Sequence, residues 1–339
     1  MLPYAPGEQP EPGVVVKLNT NENPFPPPKA VVEAIREAAT GPLNRYPDPM
    51  ATVFREAAAE ALNLPSRDWI LAGNGSDEIL TMLVRGLVGE EQSLRLPYPS
   101  YILYRTLADI QGARWEQTSF NPDWSLPAAF GQGHEDLRLV LLPNPNSPSG
   151  TFVPREDVAA IASALPCPLV VDEAYVDFAE DDCVDLVRES ESVMVTRTLS
   201  KSYGLAGIRF GYLVAQPQIV SELAKIKDSY NCDGLSIAAA TAAMKCRDWL
   251  AETIQAMNAT RERMHERLAL MGFDVIPSNA NFLWCTHEDG RHQDRYEYLK
   301  ANNFLIRYMN FPEWGDGIRI SVGTDDQIDT CLSLLERFE

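Results

Sequence analysis

Short apolar runs alternate with amphipathic stretches through the first two thirds of the chain. Trp69–Ala72, Leu94–Leu96, 114–118, Leu137–Leu142, Leu169–Asp172, Val193–Arg197 and Phe210–Ala215 have the length and content of strands, several of them apolar throughout. Between them the spacing predicts helices from Pro28 to Gly41, near 51–62, and over Ser76–Val88, Tyr101–Ile110 and Arg155–Ala164. Continuous apolar strands separated by helices predict βαβ units and a mostly parallel, seven-stranded type of sheet flanked by helices, an α/β domain over 31–240. After that the pattern changes. Helical stretches at 236–247 and 249–271 precede short strands at 281–285 and 317–322, which predicts a smaller α+β domain over 241–339. Residues 1–30, rich in Pro and polar groups, read as an extended arm that packs partly on the small domain and partly on a partner subunit.

Composition narrows the function. Of 339 residues, 29 are basic and 48 acidic, a net charge of −19, which argues against nucleic acid and against an anionic membrane surface as partners. An anionic substrate would therefore need specific Arg side chains acting against the global field. No stretch approaches the roughly 18 apolar residues of a membrane span, and Met1–Gly7 lacks the n- and h-regions of a signal peptide. Cys167, Cys183, Cys232, Cys246, Cys285 and Cys331 form no C-x-x-C pair and read as free thiols in a reducing cytoplasm. His287 and His292 flank an acidic turn better read as a solvated loop than as a metal site, so no metal is expected.

Four segments carry the chemistry, each at the C-terminal end of a predicted strand, so that all four can converge on one rim. In Thr198–Arg209, Lys201 stands in a run of small, hydroxylated and Gly residues. Lysine forms Schiff bases with carbonyls, and Ser200 with Arg209 suits a phosphate ester. In Leu169–Tyr175, Asp172 ends a buried strand, where open α/β sheets bind ligands. A helix cap or a Walker-B magnesium ligand is the alternative, but no Walker A accompanies it. A carboxylate there can instead pair with a protonated ring nitrogen, as pyridoxal phosphate requires. Ala72–Glu78, with Gly73, Gly75 and Ser76, is a glycine turn opening a helix, able to present N–H groups to an anion. Leu142–Gly150 is a dense Pro/Asn turn that either punctuates the loop or holds an amide over a ligand edge.

Taken together, the motifs KLNTNENPFPPP, RYPDP, GNGSDEIL, YPSY, NPNSPSG, VDEAYVDF, RTLSKSYGLAGIRFGY and IRISVG, with LPYAPGE at the start, span nearly the whole chain. The sequence resembles the fold-type-I, aspartate aminotransferase-like, pyridoxal-phosphate-dependent aminotransferases, and within them the histidinol-phosphate aminotransferase branch. The resemblance implies pyridoxal 5′-phosphate as cofactor, with Lys201 carrying it as an aldimine, Asp172 on the pyridinium nitrogen, and Tyr175 on the phenolic oxygen. It further implies Tyr101 stacked on the ring, Gly75, Ser76, Ser200 and Arg209 on the phosphate, and Tyr46 reaching the neighbouring subunit's cofactor phosphate in a homodimer with shared sites. Arg307 and Arg319 would take the substrate's anion, with Tyr4 and Asn23 on the substrate side. One departure stands out. The family's Asn before P-T-G is Ser147 here, followed by Pro148-Ser149-Gly150, so that Asn146 is expected to take over the contact.

The activity implied is ping-pong transamination of L-histidinol phosphate with 2-oxoglutarate, giving imidazole-acetol phosphate and L-glutamate, a cytoplasmic step of histidine and thus amino-acid biosynthesis. Aromatic amino acid transamination, threonine-phosphate decarboxylation and a non-enzymatic binding module built on the same fold are the alternatives.

Overall fold

The computed structural model describes residues 7–10 and 13–338. Its centre is a seven-stranded sheet in the spatial order 70–73, 211–214, 193–198, 169–172, 137–143, 93–98, 114–119. All neighbouring pairs are parallel except those made by Gly211–Val214, which runs antiparallel to both its neighbours. The apolar runs at 70–73, 137–143, 169–172, 193–198 and 211–214 are buried on both faces, as helix-covered strands must be. Only the edge strand Arg114–Ser119 alternates between exposed and half-buried positions.

Two apolar cores sandwich this sheet. One face carries Val140, Leu142, Val171, Val195 and Val214 against helices Lys29–Ala39, Thr52–Ala61, Arg155–Ala164 and Gly234–Lys245. The other carries Leu139, Leu141, Val170, Met194 and Leu213 against Ser76–Leu87 and Leu103–Gln111. The alternation of successive residues between these two lists is the period of two of a strand written through the sheet.

A separate four-stranded antiparallel sheet, ordered 307–311, 315–321, 282–287, 273–275, packs on the 24-residue helix Arg247–Leu270 and on Asp325–Glu336. The latter helix starts with a capping box, in which Thr324 accepts from the Gln327 amide and Gln327 reaches back to the Thr324 amide. The arm joins this second core: Val16–Lys17 pairs in parallel with Phe304–Leu305, and Leu18 is buried among Leu283, Ile320 and Val322. The short strand Arg307–Phe311, rich in polar residues, had no apolar run to announce it. It exists because it pairs along five residues with Gly315–Ser321.

Candidate active site

Strand direction places the site. The parallel strands deliver Tyr98, Pro143, Asp172 and Thr198 to one edge of the large sheet, and a cavity of about 400 Å³ lies there between the two sheets. Ser76, Tyr101, Asp172, Tyr175, Ser200, Lys201, Arg209, Arg307 and Arg319 all line it. These residues come from segments up to 243 positions apart and meet because each follows a strand or occupies the facing small sheet.

Asp172 is the most constrained of them. It is 4% exposed, accepts from the Tyr104 hydroxyl at 2.7 Å on Oδ2, and accepts from the Thr196 hydroxyl at 3.0 Å on Oδ1. Burial raises its carboxyl above the ordinary range, while the two hydroxyl donors pull the other way. A buried carboxylate held this way is built to face a cation. The Lys201 ammonium donates to the Thr20 carbonyl at 3.2 Å and lies 5.5 Å from the centre of the Tyr175 ring. Ser202, next to it, donates to Asp177 in a short contact.

The turn after strand Ile70–Gly73 forms one end of the cavity. Gly75 has φ of 79°, a conformation glycine tolerates without cost, and it starts helix Ser76–Leu87. The Gly75 amide donates to the Gly73 carbonyl at 2.9 Å, so this glycine supplies the shape of the turn and leaves donation to the helix's first-turn amides. Opposite stands Arg209, a non-glycine residue at φ 55° whose guanidinium reaches Asp77 at 3.2 Å and Ser200 at 3.4 Å. Asp77 also accepts from the Tyr101 hydroxyl at 3.2 Å. A hypothetical Cβ on Gly211 would come within 2.4 Å of the Ser76 amide nitrogen, so the strand behind this cradle must carry glycine. The first-turn amides, the Ser200 hydroxyl and the Arg209 guanidinium, which here pairs with Asp77, are groups able to hold an anion.

At the other end, Arg307 and Arg319 stand directly opposite each other in antiparallel register. Arg319 donates to the Ser147 hydroxyl at 3.0 Å and to the Asn19 carbonyl at 2.8 Å, and its guanidinium lies 5.1 Å from the Phe282 ring centre. Like charges facing each other across a strand pair are unfavourable. Both arginines line the cavity, and guanidiniums are suited to binding an anion.

Two expectations come out differently, those for Asn146 and Asn23. Asn146 does not line the cavity: its amide nitrogen is turned into its own loop, donating to Ser149 at 2.8 Å and to the Pro99 carbonyl at 3.3 Å. Ser147, with Pro143 and Pro145, lines the cavity from this loop. Asn23 does not line it either, because it clamps the arm, donating to the Ser202 carbonyl at 2.8 Å and accepting from the Phe25 amide at 2.9 Å. Gln9, Asn19 and Asn21 are the arm amides on the cavity wall. Tyr46 sits away from this cavity, 78% exposed and stacked on Tyr230 with centroids 4.2 Å apart. Tyr4 lies outside the described residues.

Sequence reasoning missed Asp77, Tyr104, Thr196 and Asn21. Tyr104 follows Tyr101 by three positions and thus shares its helix face, a usable signal. Among the described residues, no cluster of three or more His, Cys, Asp or Glu side chains could hold a metal, and no helix is long and apolar enough to cross a membrane.

The model of the aminotransferase class I and II family matches residues 14–335. A histidinol-phosphate aminotransferase of Rhodopirellula baltica is 68% identical over 337 residues, 99% of this chain and 93% of that protein. One from Trichormus variabilis, histidinol-phosphate aminotransferase 1, is 42% identical over 96% of this chain and 93% of its own length. Among solved structures, histidinol-phosphate aminotransferase from Sinorhizobium meliloti in complex with pyridoxal-5′-phosphate superposes with a TM-score of 0.88 at 30% identity, covering 95% of this chain and 90% of that one.

Proposed function

The chain belongs to the class I and II aminotransferases, and on that premise we propose that it transfers the amino group of L-histidinol phosphate to 2-oxoglutarate, yielding imidazole-acetol phosphate and L-glutamate, with pyridoxal 5′-phosphate as cofactor. The observation that carries the substrate class is the Arg307–Arg319 pair, two guanidiniums set opposite each other on the cavity wall. The residues present fit the cofactor. Asp172 is a buried carboxylate suited to a ring cation, the Gly75–Ser76 turn with Ser200 and Arg209 suits its phosphate, and Lys201 suits its aldehyde.

When bound, the cofactor supplies the electron sink for the bond broken at the substrate's amino carbon. The protein's own groups do the rest. Asp172 stays ionised opposite the ring cation, since a nearby positive charge offsets its burial. Tyr104 and Thr196 fix its two oxygens. With the cofactor bound, Tyr175 would donate to its phenolic oxygen and Tyr101 would pack on its ring face. The Lys201 amine would then be the base that takes the proton from the substrate's amino carbon. Arg319, fixed by Ser147 and Asn19, and Arg307 hold the phosphate of one substrate and the carboxylate of the other in turn. This one-site alternation is what a ping-pong scheme needs.

The same reading divides the chain into an arm (1–30), a large cofactor-binding domain (31–240) and a small domain (241–339), supported by the separate cores of the two sheets. It makes the protein a homodimer in which Tyr46 reaches the partner's cofactor phosphate. Exposed Leu43, Tyr46 and Val53 support that surface. The free cysteines suit the cytoplasm.

The test is a half-reaction. Cofactor-loaded protein is mixed separately with L-histidinol phosphate, L-phenylalanine and O-phospho-L-threonine, and loss of the visible cofactor band is followed. Fast conversion to the pyridoxamine form with histidinol phosphate alone is expected. Conversion mainly with phenylalanine, or carbon dioxide release from phosphothreonine, would overturn the substrate assignment.

A further inference from the structure

Asn21 is the most fully engaged residue of the arm. It is 1% exposed and holds a left-handed backbone at φ 55°. Its amide N–H donates to the Ser321 hydroxyl at 2.9 Å, and its Oδ1 accepts from the same hydroxyl at 2.9 Å. Its carbonyl accepts from the Asn281 side chain at 2.9 Å. Its remaining group, Nδ2, donates to the Tyr175 hydroxyl oxygen at 2.9 Å. A strained conformation that the surroundings over-determine this heavily marks a position where geometry matters.

The direction of the last bond has a consequence. With Oδ1 committed to Ser321, the Asn21 amide can only donate toward Tyr175, so it occupies a lone pair of the phenol oxygen and excludes the Tyr175 proton from that side. The proton is left to point elsewhere, and both Asn21 and Tyr175 face the cavity. A hydroxyl that accepts one hydrogen bond is also a better donor of its own. We infer that Asn21 is a positioning residue that aims the Tyr175 hydroxyl proton into the cavity, at the cofactor's phenolic oxygen, and so couples the docked arm and the small sheet to the electronics of the bound cofactor. The inference rests on the reading of Tyr175 given above and adds to it what sets the direction of its donation.

The readout is the pH midpoint of the visible absorption band of the holoprotein. Without a donor at the phenolic oxygen, that oxygen's negative charge holds the neighbouring proton of the bound cofactor more tightly, and the midpoint rises. Tyr175→Phe is expected to raise it by roughly one pH unit, the scale of one hydrogen bond to a charged group. Asn21→Asp, which accepts where Asn donates and turns the Tyr175 proton toward itself, is expected to recover most of that rise. Asn21→Gly keeps the left-handed backbone, adds no charge and is expected to give a smaller rise. In a Tyr175→Phe background, Asn21→Gly is expected to add nothing, because its effect runs through the missing hydroxyl.

An unmoved midpoint in Tyr175→Phe would overturn the reading of Tyr175 and the inference with it. A moved midpoint in Tyr175→Phe with none in either Asn21 variant would overturn the inference alone. So would a shift from Asn21→Gly that persists undiminished in the Tyr175→Phe background, since Asn21 would then act by another route.

Discussion

The Tyr104 hydroxyl donates to Asp172 Oδ2 across 2.7 Å, with both side chains buried. Tyr104 stands one helical turn beyond Tyr101 and meets its ring edge-on, with centroids 5.6 Å apart. The helix start just after Tyr101 therefore sets both a residue that lines the cavity and the residue that holds Asp172. Tyr104→Phe keeps the packing and removes the donor. The loss of a hydrogen bond to a buried charged group, about 1.5–3 kcal/mol at most, would be shared between cofactor binding and catalysis. Cofactor affinity is expected to fall about tenfold and kcat several-fold. Equilibrium dialysis and single-turnover rates check this, and unchanged values would mean that Thr196 alone suffices.

Asp172 also sets a stability dependence. Its carboxyl is raised above the ordinary carboxylate range, chiefly by burial. A raised folded-state value contributes stability that is fully present below the unfolded value and is lost as pH rises through the folded one. Wherever this carboxyl is ionised, the cofactor-free chain carries a buried charge that two hydroxyl donors offset only in part. Asn at this position keeps an acceptor for Tyr104 and removes the charge. Cofactor-free Asp172→Asn is expected to melt no lower than the wild type at pH 7.5, with any gain shrinking toward pH 4, while its cofactor affinity drops by two orders of magnitude or more. Thermal melts of the two cofactor-free proteins across pH decide the sign.

Gly211 tests the cradle from behind. A Cβ there would lie 2.4 Å from Ser76 N, 2.7 Å from Gly75 C and 2.9 Å from the Arg197 carbonyl oxygen, all backbone atoms that cannot swing aside. Gly211→Ala must displace the helix start that faces Arg209. The expected costs are about 1–3 kcal/mol of stability, as for overpacking elsewhere, and at least a tenfold loss of cofactor affinity. Urea unfolding with and without pyridoxal phosphate separates the two effects.

Much of this architecture was legible before any coordinates. The seven predicted strands correspond to the seven strands of the large sheet, because strands covered on both faces are largely apolar, as 137–143 and 169–172 are. The reversal of Gly211–Val214 was not legible, since its apolar content is the same in either direction. Lys201 and Arg209 stood out by their small and hydroxylated neighbours after a strand, and Asp172 as a carboxylate at the end of a buried one; all three line the cavity. Asn146 and Asn23 were misplaced because which of two nearby amides faces a cavity depends on loop conformation, not on residue type. Tyr104, Thr196 and Asn21 act through partners 68, 24 and 154 positions away, a separation that no local pattern encodes.

Ser147, the departure from the family's asparagine, is expected to act on the substrate side. Its hydroxyl accepts from Arg319 at 3.0 Å. Ser147→Ala removes one of the groups that orient that guanidinium. A net hydrogen-bond contribution of about 1 kcal/mol corresponds to a roughly fivefold higher KM for the amino donor with little change in kcat. A loss confined to kcat would place Ser147 on the cofactor side instead.

The facing arginines give the last prediction. Arg307 and Arg319 pair directly across adjacent strands, and both line the cavity. Arg307→Gln keeps much of the side chain's length and removes one charge. The first half-reaction should need about 10- to 100-fold more histidinol phosphate for half-maximal rate, the scale of one charge-assisted contact. Added inorganic phosphate should stabilise the wild type against heat and do so less for the variant, since an anion held by two guanidiniums binds the folded chain more tightly than one held by a single guanidinium. A variant that loses stability while keeping its substrate affinity would make Arg307 a structural cation of the small sheet and leave Arg319 as the sole anion receptor.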